Sequence, residues 1–238
     1  MLNNVPLYKE VRDQIVRSLV RSEWQPGDVL PSEKELAKRF SVAISTIRAA
    51  VGELVAANIL VRKQGKGTFV AHHNNPTQLY RFFNVVRNHG GKEPFMRKLL
   101  SMVKERADHE AIRVFGLTNA RRGGDIYRIR IRLSAHGPAF AIADVILPVH
   151  LFPNLKEEHI PDGPQGLYAV YQEKYGVNIV RVVEELFAVG ASAKVARALS
   201  LDPGEPLLEV RRTGYTFNDV AVEQRTTWIH TSNYHYHV

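Results

Sequence analysis

Apolar residues recur every three or four positions through the first sixty residues, then every second position in several later stretches, so the chain changes its building principle partway. Tyr8, Val11, Ile15 and Leu19 share one face and predict a helix over 6–23. A turn at Pro26-Gly27 follows. Ser32, with Glu35 three positions on, has capping-box spacing and opens a second helix whose buried side is Leu36, Ala37 and Phe40. A third helix over 45–58 turns Ile47, Val51, Leu54 and Val55 inward and Ser45, Arg48 and Gly52 outward. Two helices in such close succession predict a helix-turn-helix. Residues 59–71 form two short β-runs around the glycine-rich turn Lys63-Gln64-Gly65-Lys66-Gly67, a hairpin or wing.

Residues 72–78 are polar, carry Pro76 and break both periodicities, which predicts a linker. Beyond it, 76–90 reads as helix and 93–107 as strand. Residues 108–117 read as a short helix capped by Asp108. Residues 125–148 form two long strands joined at His136-Gly137-Pro138, and 166–176 a helix ended by Gly176. A strand over 178–191, a helix over 192–201 and a hairpin over 205–230 turning at Asn218-Asp219 complete the pattern. Long hairpins with interspersed helices predict an antiparallel α+β domain. The division is therefore a winged helix-turn-helix over 1–71, a linker over 72–78, and an α+β domain over 79–238.

Composition narrows the chemistry. The 238 residues include no cysteine, which excludes disulfide scaffolds, thiolate metal sites and a cysteine nucleophile and fits a reducing cytoplasm. The N-terminal stretch is amphipathic rather than a signal sequence, and no apolar run is long enough to span a bilayer, so neither export nor a membrane partner is expected. A net charge of +8 invites a polyanionic partner. Residues 1–75 hold 11 Lys and Arg against 7 Asp and Glu, and the remainder 21 against 17, so each part carries +4. The N-terminal third is about twice as charge-dense.

A helix-turn-helix places its second helix in the major groove of double-stranded DNA. Ser45, Thr46 and Arg48 meet the geometric demand for base contact; Arg48 can donate two bonds to a guanine edge, or be a solvated surface arginine. Pro31, Ser32 and Lys34 open the preceding helix, where backbone N–H groups and charge can meet phosphates. Lys63 and Lys66, with Gly65 and Gly67 permitting the turn, can reach the duplex from the wing tip, or form a solvated loop. The ordered set Pro26-Gly27, Leu30-Pro31-Ser32-Glu33, Glu35-Leu36-Ala37, Thr46-Ile47-Arg48 and Gly65-Lys66-Gly67-Thr68-Phe69-Val70 resembles the DNA-binding domain of GntR-type bacterial transcription regulators across residues 6–70. The resemblance implies DNA contacts at Lys34, Ser45, Thr46, Arg48 and the wing glycines. One departure stands out. Where the family has Ser-Arg, this chain has Ala43-Ile44, which removes a hydrogen-bond donor and predicts a shifted operator, with Ile44 against a thymine methyl.

In the second part, Arg128, Arg130 and Arg132 share one strand face and Tyr127, Ile129, Ile131 and Leu133 the other. The odd face is core. The arginine row is either a solvated face or the lining of an anion cleft, a choice that cross-strand partners decide. Arg130-Ile131-Arg132 with Gly137-Pro138, Leu147-Pro148, Phe152-Pro153, Leu167-Tyr168 through Tyr175-Gly176, Val222-Glu223 and Asn233-Tyr234-His235-Tyr236 resemble the UTRA effector-binding domain of the HutC branch of that family. The resemblance implies a chorismate-lyase-like α+β fold and a small-molecule cleft using Arg130, Arg132, Glu223 and Tyr234. Two guanidiniums, a carboxylate and a phenol suit an anionic metabolite. Ala143 stands where relatives often have glutamate, with Asp144 beside it, and Pro94-Phe95-Met96-Arg97 replaces serines; a small, more apolar organic acid is expected, with Arg97 and Asp144 in the site. No cofactor is expected. Among ten histidines, His235 and His237 have a metal-compatible spacing, but nothing completes a site and no metal is expected. No nucleophile elbow, P-loop or spaced carboxylate pair is present, so the chain does not read as an enzyme. The reading is a homodimeric, ligand-responsive repressor on a palindromic operator. The alternatives are an enzyme on a small organic acid with an appended DNA-binding module, or a constitutive architectural DNA binder.

Overall fold

The computed structural model describes residues 6–21, 23–57, 59–71, 82, 84–89, 95–117, 124–135 and 137–237. Contacts divide the chain into two compact units that part between His72 and His73; the expected linker, 72–78, lies outside the described residues. Among the described residues no helix is long and apolar enough to cross a membrane.

In the first unit, α1 (Leu7–Val20), α2 (Glu33–Phe40) and α3 (Ile44–Ala56) precede a hairpin of β1 (Leu60–Lys63) and β2 (Gly67–Val70). Val11, Ile15, Leu36, Ile47, Ala50, Val51 and Leu54 meet in its core. On α3 the buried stripe is rotated slightly from the expected one: Ala50 is fully buried and Val55 only half-buried. At 100° per residue Ala50 and Val55 flank the Ile47–Val51–Leu54 sector by about 40° on opposite sides, so it is the tertiary packing that closes over the Ala50 side. The capping box is present, Ser32 accepting from the Glu35 amide while Glu35 accepts from the Ser32 amide at 2.7 Å. The wing is anchored to the segment before α2, through Leu30 N–H to Thr68 O (2.8 Å) and Gly27 N–H to Val70 O (3.0 Å). That anchorage explains Gly67. It adopts φ +111°, and a Cβ there would lie 3.2 Å from Val29 Cγ2.

The second unit contains β3 (Val85–Arg87), β4 (Met96–Arg106), α4 (His109–Phe115), β5 (Asp125–Ser134), β6 (Ala139–Pro148), α5 (Leu167–Tyr175), β7 (Arg181–Gly190), α6 (Ala193–Leu199), β8 (Pro206–Tyr215), β9 (Ala221–Ile229) and β10 (Tyr234–Tyr236). Six strands form one sheet in the order β4-β5-β6-β9-β8-β7, all neighbours antiparallel. The fold is α+β, with Asp108 capping α4, Gly176 closing α5 and Asn218-Asp219 turning the last hairpin at positive φ. One expectation fails. Val85–Arg87, expected as helix, is a strand paired with β10; the consecutive β-branched Val85 and Val86 suit that pairing, which a distant segment supplies.

The two faces of the sheet are covered differently. Ile129, Ile131, Ala143, Val145 and Val210 pack with Leu167 and Tyr171 of α5 and with Phe152, Leu155 and Ile160 of the preceding loop. On the reverse face, α6 packs on Ile142 and Leu207, and α4 on Ile126 and Ile146. Between those helices lies a groove whose lining includes Asp108, Arg128, Asp144, Ile146, Arg225 and Trp228.

Candidate DNA interface and effector site

In the first unit the residues expected at DNA come from three places. Ser32 and Lys34 are exposed at the start of α2, beside half-buried Pro31. Ile44, Ser45 and Arg48 are exposed on the first turns of α3, with Thr46 half-buried. Lys63, Gly65, Lys66 and Gly67 form the exposed wing turn, and Lys63 Nζ lies 4.4 Å over the Phe69 ring. Pro31, Ser32, Lys63, Gly65 and Gly67 line one groove between the start of α2 and the wing. Sequence reasoning missed the residue that ties these parts together. Glu33 accepts from Arg48 Nε at 2.7 Å and pairs with Arg62 of β1 at 3.5 Å. Arg48 keeps 68% of its side chain exposed despite that bond, so its guanidinium is aimed outward and weakly held. The start of α3 carries no side-chain cap, because Ala43 occupies that position, and Ile44 presents a 41% exposed apolar surface in its place.

In the second unit a charged cluster is buried beneath α5. Tyr168 and Tyr171, one helical turn apart, both reach Glu223, which is fully buried: Tyr168 donates at 3.0 Å and Tyr171 at 2.7 Å. Arg225, two residues along β9 and therefore on the same face, donates to Glu223 at 2.7 Å. On the neighbouring strands Arg212 donates to Glu184 at 2.6 Å and to the Phe82 carbonyl, and Glu184 also accepts from Tyr236 at 2.7 Å. Burial, then the charge on Glu223, push the Tyr168 hydroxyl up to about 12, and the same causes raise Tyr171, so both remain proton donors. For Arg212, burial works against the charge, but Tyr168 and Glu184 more than offset it; for Arg225, Glu223 and Tyr168 do the same. Both guanidiniums stay charged.

Arg97 joins this face from β4, where it pairs with Leu133. It is 2% exposed, donating to the carbonyls of Gln165 (2.5 Å) and Pro161 (2.6 Å). Burial lowers its pKa to about 10, with Tyr171 opposing that shift and the charge of Arg225 adding to it.

The six residues expected at the effector therefore do not share one cleft. Arg97 and Glu223 lie on the α5 face, and Tyr234 packs against the same core, stacked 4.4 Å from Phe140. Arg130, Arg132 and Asp144 lie on the reverse face: Arg130 is the cross-strand partner of Asp144 and bonds its carboxylate at 2.5 Å. Strand alternation assigned the arginines to one face correctly but could not say which helices cover it. Arg212, Arg225, Glu184, Tyr168, Tyr171 and Tyr236 were missed. The period-2 spacing of Glu223 and Arg225 was a usable signal; the meeting of β7, β8, β9, α5 and β10 was not.

A winged helix-turn-helix and an antiparallel α+β unit with a buried ionic cluster define a regulator that binds DNA with one unit and a small molecule with the other. Residues 7–70 match the family of bacterial regulatory proteins of the gntR type, and residues 93–235 match the UTRA domain. The chain belongs to the GntR family of bacterial transcription regulators, in its HutC branch. It is 28% identical over 221 residues to the transcriptional repressor NagR of Bacillus subtilis, covering 92% of this chain and 88% of that one. It is 31% identical to the transcriptional regulator Rv0792c of Mycobacterium tuberculosis, covering 90% and 78%. Its fold is similar to the ligand-binding domain of a GntR-family regulator from Bordetella bronchiseptica, with TM-score 0.61 and 33% identity over 67% of this chain and 97% of that one.

Proposed function

We propose that this protein is a repressor that binds a palindromic operator as a homodimer and changes its operator affinity when a small anionic metabolite occupies the α5 face of its UTRA domain. The observation that carries the DNA half is the exposed set Ile44, Ser45 and Arg48 on α3, flanked by the start of α2 and the lysine-bearing wing. Base contacts come from Ser45, Thr46 and Arg48, phosphate contacts from Pro31, Ser32, Lys34, Lys63 and Lys66, and Ile44 reads a thymine methyl. Two half-sites a helical turn apart are met by two-fold symmetry. The effector half rests on the buried cluster around Glu223, Arg225 and Arg97. Glu223 and Glu184 are held in mutual bonds with Arg225 and Arg212, while Arg97 bonds only carbonyls. The names of relatives such as NagR support repression.

The test is operator selection from a random duplex library, followed by anisotropy with Arg48→Ala. The variant is expected to lose about 1–3 kcal/mol of discrimination between the selected and a scrambled duplex, with its melting temperature unchanged because the arginine is largely exposed. Equal affinity of wild type for both duplexes would overturn the reading.

A further inference from the structure

The buried cluster contains an unbalanced charge. Arg212 is matched by Glu184 and Arg225 by Glu223. Arg97 is as buried as either of them, yet its two hydrogen bonds go to neutral carbonyls. Among the described residues the face therefore holds three guanidiniums and two carboxylates. The next carboxylate, Asp162, is exposed and accepts from the Leu99 amide at 2.8 Å, where solvent screens it. An uncompensated guanidinium held away from water is costly unless an anion arrives.

A second, independent observation concerns individual atoms. Among the described residues two buried side-chain nitrogens have no hydrogen-bond partner, and they are Arg97 Nε and Arg225 Nε. Buried donors are ordinarily satisfied, so a pair of orphaned N–H groups on one face is a departure that calls for an acceptor. Both side chains extend from the sheet face that α5 covers. Besides the carbonyls and the Glu223 carboxylate that they bond, the Tyr168 ring lies 5.3 Å from the Arg225 guanidinium, and Phe95, Ala143 and Ile129 are buried on the same core.

Resting on the proposal that this face is the effector site, we infer that the effector is a small monocarboxylate with an apolar body, which supplies the acceptor and the negative charge that the guanidiniums of Arg97 and Arg225 lack. One negative charge balances the cluster. A phosphomonoester, near −2 at neutral pH, would leave an excess negative charge beside Glu223 and Glu184. Ala143, on the same face, contributes no further carboxylate to oppose it.

Thermal-shift and calorimetric titration of the full chain tests this with acetate, butyrate, hexanoate, benzoate and 4-hydroxybenzoate, against glucosamine 6-phosphate and inorganic phosphate at matched ionic strength. At least one monocarboxylate is expected to raise the melting temperature, and neither phosphate is. Arg97→Gln, with an unchanged circular dichroism spectrum, is expected to weaken that monocarboxylate about 10- to 100-fold, while Arg97→Lys recovers part of the loss. Should Arg97→Gln not fold, Arg225→Lys carries the test with the same expected weakening. The inference is overturned if no monocarboxylate binds, if a phosphate binds as well as the best of them, or if the variants bind as wild type. Failure of the regulator reading is distinguishable: there a monocarboxylate binds through Arg97 but leaves operator affinity unchanged.

Discussion

Glu223 is the residue on which the proposed sensor site turns. It is completely buried and takes one bond each from Tyr168, Tyr171 and Arg225. Neutralising it removes the partner of a guanidinium that is almost as buried, and breaking such a pair costs far more than the intact pair contributes. Glu223→Gln is therefore expected to destabilise the chain by about 3–5 kcal/mol in urea denaturation, although glutamine is nearly isosteric. A cost under about 1 kcal/mol would mean that Arg225 reaches water. By contrast, the Arg48–Glu33 bond sits at the surface, where ion pairs contribute about 0–1 kcal/mol. Its importance is orientation. Glu33 holds Arg48 and Arg62 near the groove that the wing and the start of α2 share, and phosphate oxygens can replace it.

At the scale of elements, α2 shows how local sequence positions function. Its Ser32 cap satisfies the Glu35 amide, and the Glu35 side chain returns the bond. The start of the helix is thereby fixed where Pro31, Ser32 and Glu33 line the groove. Ser32→Ala is expected to cost about 1 kcal/mol, seen as a lower melting temperature of the N-terminal unit, with no effect on ligand affinity in the other unit. A matching fall in effector affinity would contradict the division into two units. The strand elements work by alternation: β5 sends Ile129 and Ile131 toward α5 and Arg128, Arg130 and Arg132 to the reverse face. There Arg130 bonds Asp144 and Arg128 bonds Glu105 at 2.6 Å, so two of the three arginines serve cross-strand pairs.

At the scale of the molecule, regulation by the proposed homodimer requires that the effector favour one of its arrangements over another. A coupling of about 1–3 kcal/mol would change operator affinity about 5- to 150-fold; the measurement is operator anisotropy with and without the ligand that stabilises the chain, alongside sedimentation to establish the dimer. By reciprocity the operator must change effector affinity by the same factor, and an effect in only one direction would exclude this linkage. The sequence by itself determined most of the first unit. Its helices, cap, wing and outward residues follow from periodicities and turn chemistry that act over a few positions. It also determined, through alternation, which residues of β5 share a face. Only the tertiary structure decided that Arg130, Arg132 and Asp144 lie on the opposite side of the sheet from Glu223, and that beneath α5 Arg212 and Arg225 pair with carboxylates while Arg97 bonds only carbonyls. It likewise turned Val85–Arg87 into a strand. The reason is range. A period marks a face, but the register across six strands, and the helix that closes over each side, are set by contacts between segments far apart in the chain, and those contacts decide where a buried charge finds its partner.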